Sequence, residues 1–144
     1  FIVTKSVVSH MLKRKNGSII NIASDIGIIS PDHRIYEPNK RYKYKGVNFN
    51  TPIAYSVAKS GIISMTRYLA TYWAKKGIRV NCISPAGVYK KHNKKFVEQL
   101  SHRIPLGRMA KPHELNGAII YLCSNASSYV TGHNLVVDGG RTIW

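Results

Sequence analysis

A tyrosine and a lysine stand four positions apart, Tyr55 and Lys59, in NTPIAYSVAKSGIISMTRYLATYWAKKG. A phenol is a poor base near neutral pH, but a neighbouring ammonium stabilises its anion. Residues i and i+4 of a helix share a face. Such a pair could exchange a proton with a carbonyl or alcohol oxygen. A hydroxyl from elsewhere would have to orient that oxygen, and Ser24, just after the run SIINIA, is the candidate. The spacing alone is weak. Tyr-x-x-x-Lys occurs three times among nine tyrosines, at 36/40, 55/59 and 72/76. Tyr36 and Lys40 flank Pro38, which breaks a helical turn. Tyr72 and Lys76 fall at the end of a helical pattern, far from any strand terminus. An ordinary helix pair is the alternative for 55/59 on spacing alone.

The surrounding pattern supplies elements to position these groups. Val7, Val8, Met11 and Leu12 lie on one side of a helix over 3–15, which Asn16-Gly17 should stop. Residues 18–23 are a β-branched run, a buried strand. Residues 25–50, rich in Pro, Asn, Lys and Tyr, show no sustained period and read as a long loop. Thr51 as N-cap and Pro52 at the first helical position start a helix that runs to Lys76 and ends at Gly77. Its polar stripe is narrow (Ser56, Ser60, Arg67, Thr71, Lys75), so it should be covered on more than one side. A strand follows at 78–84, then the turn PAGV, then a loop or short helix over 90–104. A helix over 111–124 is opened by Pro112, and a strand over 134–140 ends in a glycine pair. Strands alternating with helices imply a parallel sheet with helices on both faces. The expected class is α/β, a Rossmann-like doubly wound sheet, with ligands at the carboxyl ends of the strands. Those ends are Ala23-Ser24-Asp25 and Ser84-Pro85-Ala86.

The chain has 144 residues, 44% of them hydrophobic, enough for the core of one domain. No apolar run reaches the ~18 residues a membrane span requires, and no secretory signal pattern is present. A cytoplasmic protein without membrane or metal is expected: six histidines are scattered without ligand spacing, and Cys82 and Cys123, both within apolar runs, read as buried free thiols. The net charge is +16, with basic clusters at 13–15, 40–45, 75–76 and 90–95. Such a surface attracts anions, whether nucleic acid, lipid or an acidic substrate.

Taken together, GSIINIASDIG, YSVAKSGI, GIRVNCISPAGV, RIPLGRMAKPHEL and YVTGHNLVVDGG resemble the short-chain dehydrogenases/reductases, in order and over essentially the whole chain. The resemblance implies the C-terminal half or slightly more of an NAD- or NADP-dependent oxidoreductase. It assigns Ser24 to holding the substrate oxygen, Tyr55 to proton transfer, and Lys59 to supporting the tyrosine and binding the nicotinamide ribose. It places Ile22, Ala23, Pro85, Ala86, Gly87 and Val88 along the nicotinamide. It also implies a small carbonyl or alcohol substrate and a homodimer or homotetramer.

There are departures from the family's pattern. The chain contains no glycine-rich phosphate-binding turn, and the family's catalytic asparagine would fall before Phe1. The expectation is therefore a piece of a chain of about 250 residues. The nicotinamide loop reads Pro85-Ala86-Gly87, with Lys90 near the usual threonine. Ser24 and Tyr55 are 31 positions apart, more than twice the usual gap. The extra segment, PDHRIYEPNKRYKYKGVNFN, should lie over the mouth of the site. Its Arg34, Tyr36, Lys40, Arg41, Tyr42, Lys43, Tyr44 and Lys45 favour an anionic substrate, and a softer resemblance points to oxidoreductases of bacterial surface sugars, acidic sugars included. Two other readings are a catalytically silent subunit kept for oligomerisation and a basic nucleic-acid-binding module. The latter lacks a helix-turn-helix, zinc knuckle or aromatic RNA-binding strand, so no specific nucleic acid is expected.

Overall fold

The computed structural model describes residues 1–36, 43–44, 47–48 and 50–144. Three strands form a parallel sheet in the order β1 (Gly17–Ile22), β4 (Ile78–Pro85), β5 (Asn134–Val137). Gly17 pairs with Ile78 and Ile22 with Ile83, and Cys82 to Pro85 pair with Asn134 to Val137. β4 is buried along almost its whole length, as a central strand covered on both faces must be. Among the described residues the segment between Asp25 and Asn50 is not plain loop. It holds 3₁₀ turns at Asp25–Gly27 and His33–Ile35 and the antiparallel pair β2 (Lys43–Tyr44) and β3 (Val47–Asn48).

Helices α1 (Ile2–Arg14) and α2 (Ile53–Trp73) cover one face of the sheet. Val8, Ile19, Leu69, Ala70, Trp73, Ile78 and Val80 form that core. Each large side chain so buried contributes about 1.5–3 kcal/mol. Successive strand residues point to opposite faces, so Ser18 and Arg79 face the other way. There Ser18 Oγ and Arg79 Nη2 donate to Leu122 O at 2.8 and 2.9 Å, which fixes α4 (Asn116–Cys123) on the second face. Arg79 thereby also meets the negative end of that helix. α3 (Lys94–Ser101) is capped by Asn93, whose carboxamide oxygen accepts from Lys95 N and Phe96 N.

Four local expectations are corrected. α1 ends at Lys15, not at Asn16-Gly17: Lys15 takes φ 50°, Lys15 N donates to Leu12 O and Asn16 N to Met11 O, a Schellman closure built on a non-glycine residue. Gly17 instead opens β1, where a Cβ would come within 2.6 Å of Met11 Sδ. Pro52, not Thr51, is the N-cap of α2, because the Thr51 hydroxyl is engaged with Tyr36 Oη at 2.6 Å. The helix predicted over 111–124 is split into a 3₁₀ turn, Pro112–Leu115, and α4. Glu114 turns back to accept from Lys111 N, and Arg108 beside it holds the Glu114 carboxyl down at about 2. Finally, Cys82 is buried, and burial pushes its thiol up, but Cys123 is exposed because it ends α4 on the side away from the sheet.

Candidate active site

β1 runs out at Ile22, and the chain turns sharply at its carboxyl end. Ser24 is extended, its Oγ accepts from Ile26 N at 3.3 Å, and Gly27 N donates to Ser24 O at 2.9 Å. This turn is pressed against α2. A Cβ on Gly27 would meet Lys59 C at 2.8 Å and Lys59 O at 2.9 Å, so only glycine lets the two segments approach. Ser60 Oγ closes the contact on Gly27 O at 3.0 Å. The polar stripe of α2 is thus spent partly on the site rather than on solvent.

That docking brings Tyr55 and Lys59 to the end of β1. Lys59 Nζ donates to Ile22 O at 3.0 Å and lies 5.6 Å from the centroid of the Tyr55 ring. The ammonium is therefore held in place by the strand end, on the same side as the phenol. Tyr55 is 41% exposed. Ser24 and Tyr55 line one cavity of about 330 Å³, together with Ala86, Gly87 and Val88 from the loop after β4. That loop is stitched in place: Ala86 N donates to Val137 O, Ala110 N to Gly87 O and Tyr89 N to Ala110 O. A Cβ on Gly87 would reach 2.4 Å from Leu100 Cδ2, so glycine lets the loop pass under α3.

Ser24, Tyr55, Ala86, Gly87 and Val88 are therefore gathered at one cavity, with Lys59 anchored beside it. Ile22 supplies its carbonyl oxygen, while Ala23 is buried against Ile63 and Cys82 and offers only backbone. Pro85 ends β4 and is not among the residues lining the cavity.

The roof comes from the inserted segment and α3. Pro31, Ile35 and Tyr36 line the cavity opposite Phe96 and Leu100. Ile35, Leu100, Ile104 and Met109 form a small core of their own. Asp32 ties the two pieces together by accepting from Arg34 Nε at 2.8 Å and Arg103 Nε at 2.6 Å, and these guanidiniums hold its carboxyl well below the usual carboxylate range. The expected position over the mouth thus applies to 31–36. Lys40, Arg41, Tyr42 and Lys45, and the side chains of Lys43 and Tyr44, lie outside the described residues.

Two residues not predicted for the site line the same cavity, Asp25 and Arg141. Ser24 Oγ donates to Asp25 Oδ1 at 2.8 Å, and Arg141 Nη1 donates to Asp25 Oδ2. The sequence signal was the glycine pair before Arg141. Gly139 and Gly140 take φ of 66° and 91°, where a Cβ would strike Ile104 and Pro105. Asp138 caps the turn, accepting from Gly140 N and Thr142 N at 2.9 and 2.7 Å. Burial pushes the Asp138 carboxyl up, but the Thr142 hydroxyl and these N–H groups pull it further down. Among the described residues no group of three or more His, Cys, Asp or Glu could hold a metal ion, and no helix is long and apolar enough to cross a membrane.

A serine hydroxyl, a phenol and an anchored ammonium at the carboxyl end of a parallel sheet suit the ribose and nicotinamide end of a dinucleotide. A family model described as enoyl-(acyl carrier protein) reductase matches residues 1–142. The chain belongs to the short-chain dehydrogenase/reductase family. It is 36% identical over 147 residues to the 3-oxoacyl-(acyl-carrier-protein) reductase FabG of Thermotoga maritima, covering 99% of this chain and 52% of that protein. It is also 36% identical over 146 residues to the 2-dehydro-3-deoxy-D-gluconate 5-dehydrogenase of Bacillus subtilis, covering 97% and 50%. Among solved structures, a short-chain dehydrogenase of Leptospira borgpetersenii with bound NAD+ superposes with a TM-score of 0.87 at 39% identity, covering 99% of this chain and 52% of that one. The chain spans about half the length of the relatives it matches. The α/β class and the family implied by the motifs are both borne out.

Proposed function

We propose that the full-length protein is an NAD- or NADP-dependent oxidoreductase that interconverts an alcohol and a carbonyl on a small sugar-acid or polyol substrate. The observation that carries this is the placement of Ser24 and Tyr55 on one cavity, with Lys59 Nζ fixed by Ile22 O and 5.6 Å from the Tyr55 ring. The residues present fit the nicotinamide end of such a cofactor: the remaining N–H groups of Lys59 suit ribose hydroxyls, and the stitched backbone of Ala86–Val88 forms a firm wall. When bound, the cofactor supplies or accepts the hydride. Ser24 orients the substrate oxygen. Tyr55 Oη passes the proton to or from that oxygen, and Lys59 stabilises the phenol's anion while it is deprotonated. Phe96, Leu100 and Ile35 keep water off the reacting carbon.

The Bacillus relative named for a sugar acid and the net charge of +16, which steers anions, support the sugar-acid class. A test is nicotinamide turnover by the full-length protein across sugar acids, polyols and an acetoacetyl thioester. Turnover of a sugar acid or polyol is expected. Turnover of the thioester alone would overturn the substrate class, and turnover of none would overturn the activity. Lys59→Met should weaken cofactor binding by roughly tenfold, through loss of charge-assisted bonds. Unchanged binding by titration would contradict the ribose assignment.

Self-association through α2 belongs to the same proposal. Ile53, Val57, Tyr68 and Tyr72 form an exposed stripe along it, with open space above Gly61 between them. An apolar face of this length needs cover. Light scattering should give a dimer or tetramer for the full-length protein and a smaller species for Val57→Arg. A wild-type monomer would contradict this assignment.

A further inference from the structure

Asp25 and Arg141 form the most deeply buried of the ion pairs among the described residues, with side chains 3% and 7% exposed. The Asp32 and Glu114 pairs are all more open. Burying an ion pair rarely repays its desolvation in stability, and a buried charge beside a reacting hydroxyl is a place to look for function. Here the pair abuts Ser24. A serine hydroxyl has one proton and two lone pairs. Its proton is directed at Asp25 Oδ1, and Ile26 N is shared between a lone pair of Ser24 Oγ at 3.3 Å and Asp25 Oδ1 at 2.8 Å. As it stands, Ser24 can accept from the cavity but cannot donate into it. A substrate carbonyl needs a donor, so the hydroxyl must turn away from a carboxylate. A bare buried carboxylate would hold that proton strongly, since hydrogen bonds to ionised acceptors are about twice as strong as neutral ones. Arg141 Nη1, bonded to the other carboxylate oxygen, draws off part of that charge.

We propose that Arg141 is a positioning residue. Through Asp25 it sets how readily the Ser24 hydroxyl turns from the carboxylate to the substrate oxygen. The turn at Asp138–Gly140 exists in this fold to bring it there from the end of β5, and that turn is fixed by close packing on Ile104 and Pro105. This rests on the proposed role of Ser24 as the donor to the substrate oxygen.

The test uses the full-length protein with Arg141→Met, Arg141→Lys, Asp25→Asn and the double variant Asp25→Asn/Arg141→Met. Arg141→Met should lower kcat by about tenfold or more with KM nearly unchanged, the signature of a group acting in the transition state. Arg141→Lys should restore part of the loss. The double variant should be faster than Arg141→Met alone, because no ionised carboxylate is left to hold the proton. A purely structural pair predicts no such rescue, and a double variant no faster than the single one would overturn the proposal. A second measurement is independent of turnover. Denaturant midpoints of Ser24→Ala, Arg141→Met and their combination form a thermodynamic cycle. Non-additive losses are expected, since both residues act on one carboxylate, and additive losses would overturn the link. If the wild type turns over no alcohol, the proposed activity fails and this cycle still decides whether Arg141 is coupled to Ser24 through Asp25.

Discussion

Tyr55→Phe should abolish turnover in the full-length protein while leaving the fold and cofactor binding intact. The change removes one oxygen from a residue that is 41% exposed, and among the described residues no hydrogen bond joins its hydroxyl to another part of the structure. Substitutions at such positions usually shift stability by about 0.5 kcal/mol or less. The rate is another matter. A positioned proton donor contributes typically about 10²–10⁴-fold, and because Tyr36, the other described phenol on this cavity, is bonded to Thr51 Oγ1 at 2.6 Å, the upper part of that range is expected. Ser24 cannot substitute, because its own proton is held by Asp25. Steady-state kinetics with a parallel cofactor titration check this. Turnover within tenfold of the wild type, at unchanged cofactor affinity, would remove Tyr55 from the proton path.

Gly77→Ala should cost more stability than any other single methyl addition to the described backbone. Gly77 closes the 3₁₀ turn Ala74–Lys76 at φ 75°. An L-residue there costs about 1–2 kcal/mol. A Cβ would also come to 2.0 Å from Lys15 O, a backbone atom at the end of α1. No flexible side chain can yield, so the junction of α1 with the start of β1 and β4 must shift, an overpacking cost of about 1–3 kcal/mol. The combined loss is about 2–5 kcal/mol, read as a lower denaturation midpoint. Gly117→Ala is the control: the site has open space in α4, and a gain of up to about 1 kcal/mol is expected. Equal midpoints for the two variants would contradict the close approach at Lys15.

The parts of the site legible in the sequence were those set by local chemistry. Tyr55 and Lys59 share a helix, so their spacing alone determines that they face together. Ser24 follows a β-branched run, and parallel sheets present such ends to ligands. Asp25 and Arg141 were not legible as a pair because they are 116 positions apart and meet only through the Asp138–Gly140 turn. A glycine pair at a strand end signals a turn but not its direction. Thr51 was misplaced as a cap because its hydroxyl found a tertiary partner, Tyr36. Lys15 took the left-handed position expected of Asn16-Gly17, since Gly17 was needed for contact with Met11. Cys123 sat in an apolar run, yet one face of a short helix points away from the sheet. In each case tertiary packing overrode a sound local preference.

The most direct test of the account is to follow the hydrogen itself. A sugar acid or polyol that the full-length protein oxidises would be deuterated at its carbinol carbon, and the nicotinamide product examined by NMR. Deuterium is expected at the nicotinamide ring on a single face with the wild-type protein, and none above background with Tyr55→Phe. Oxidised product without label in the nicotinamide, or equal label transfer by Tyr55→Phe, would contradict hydride transfer at the Ser24–Tyr55–Lys59 site.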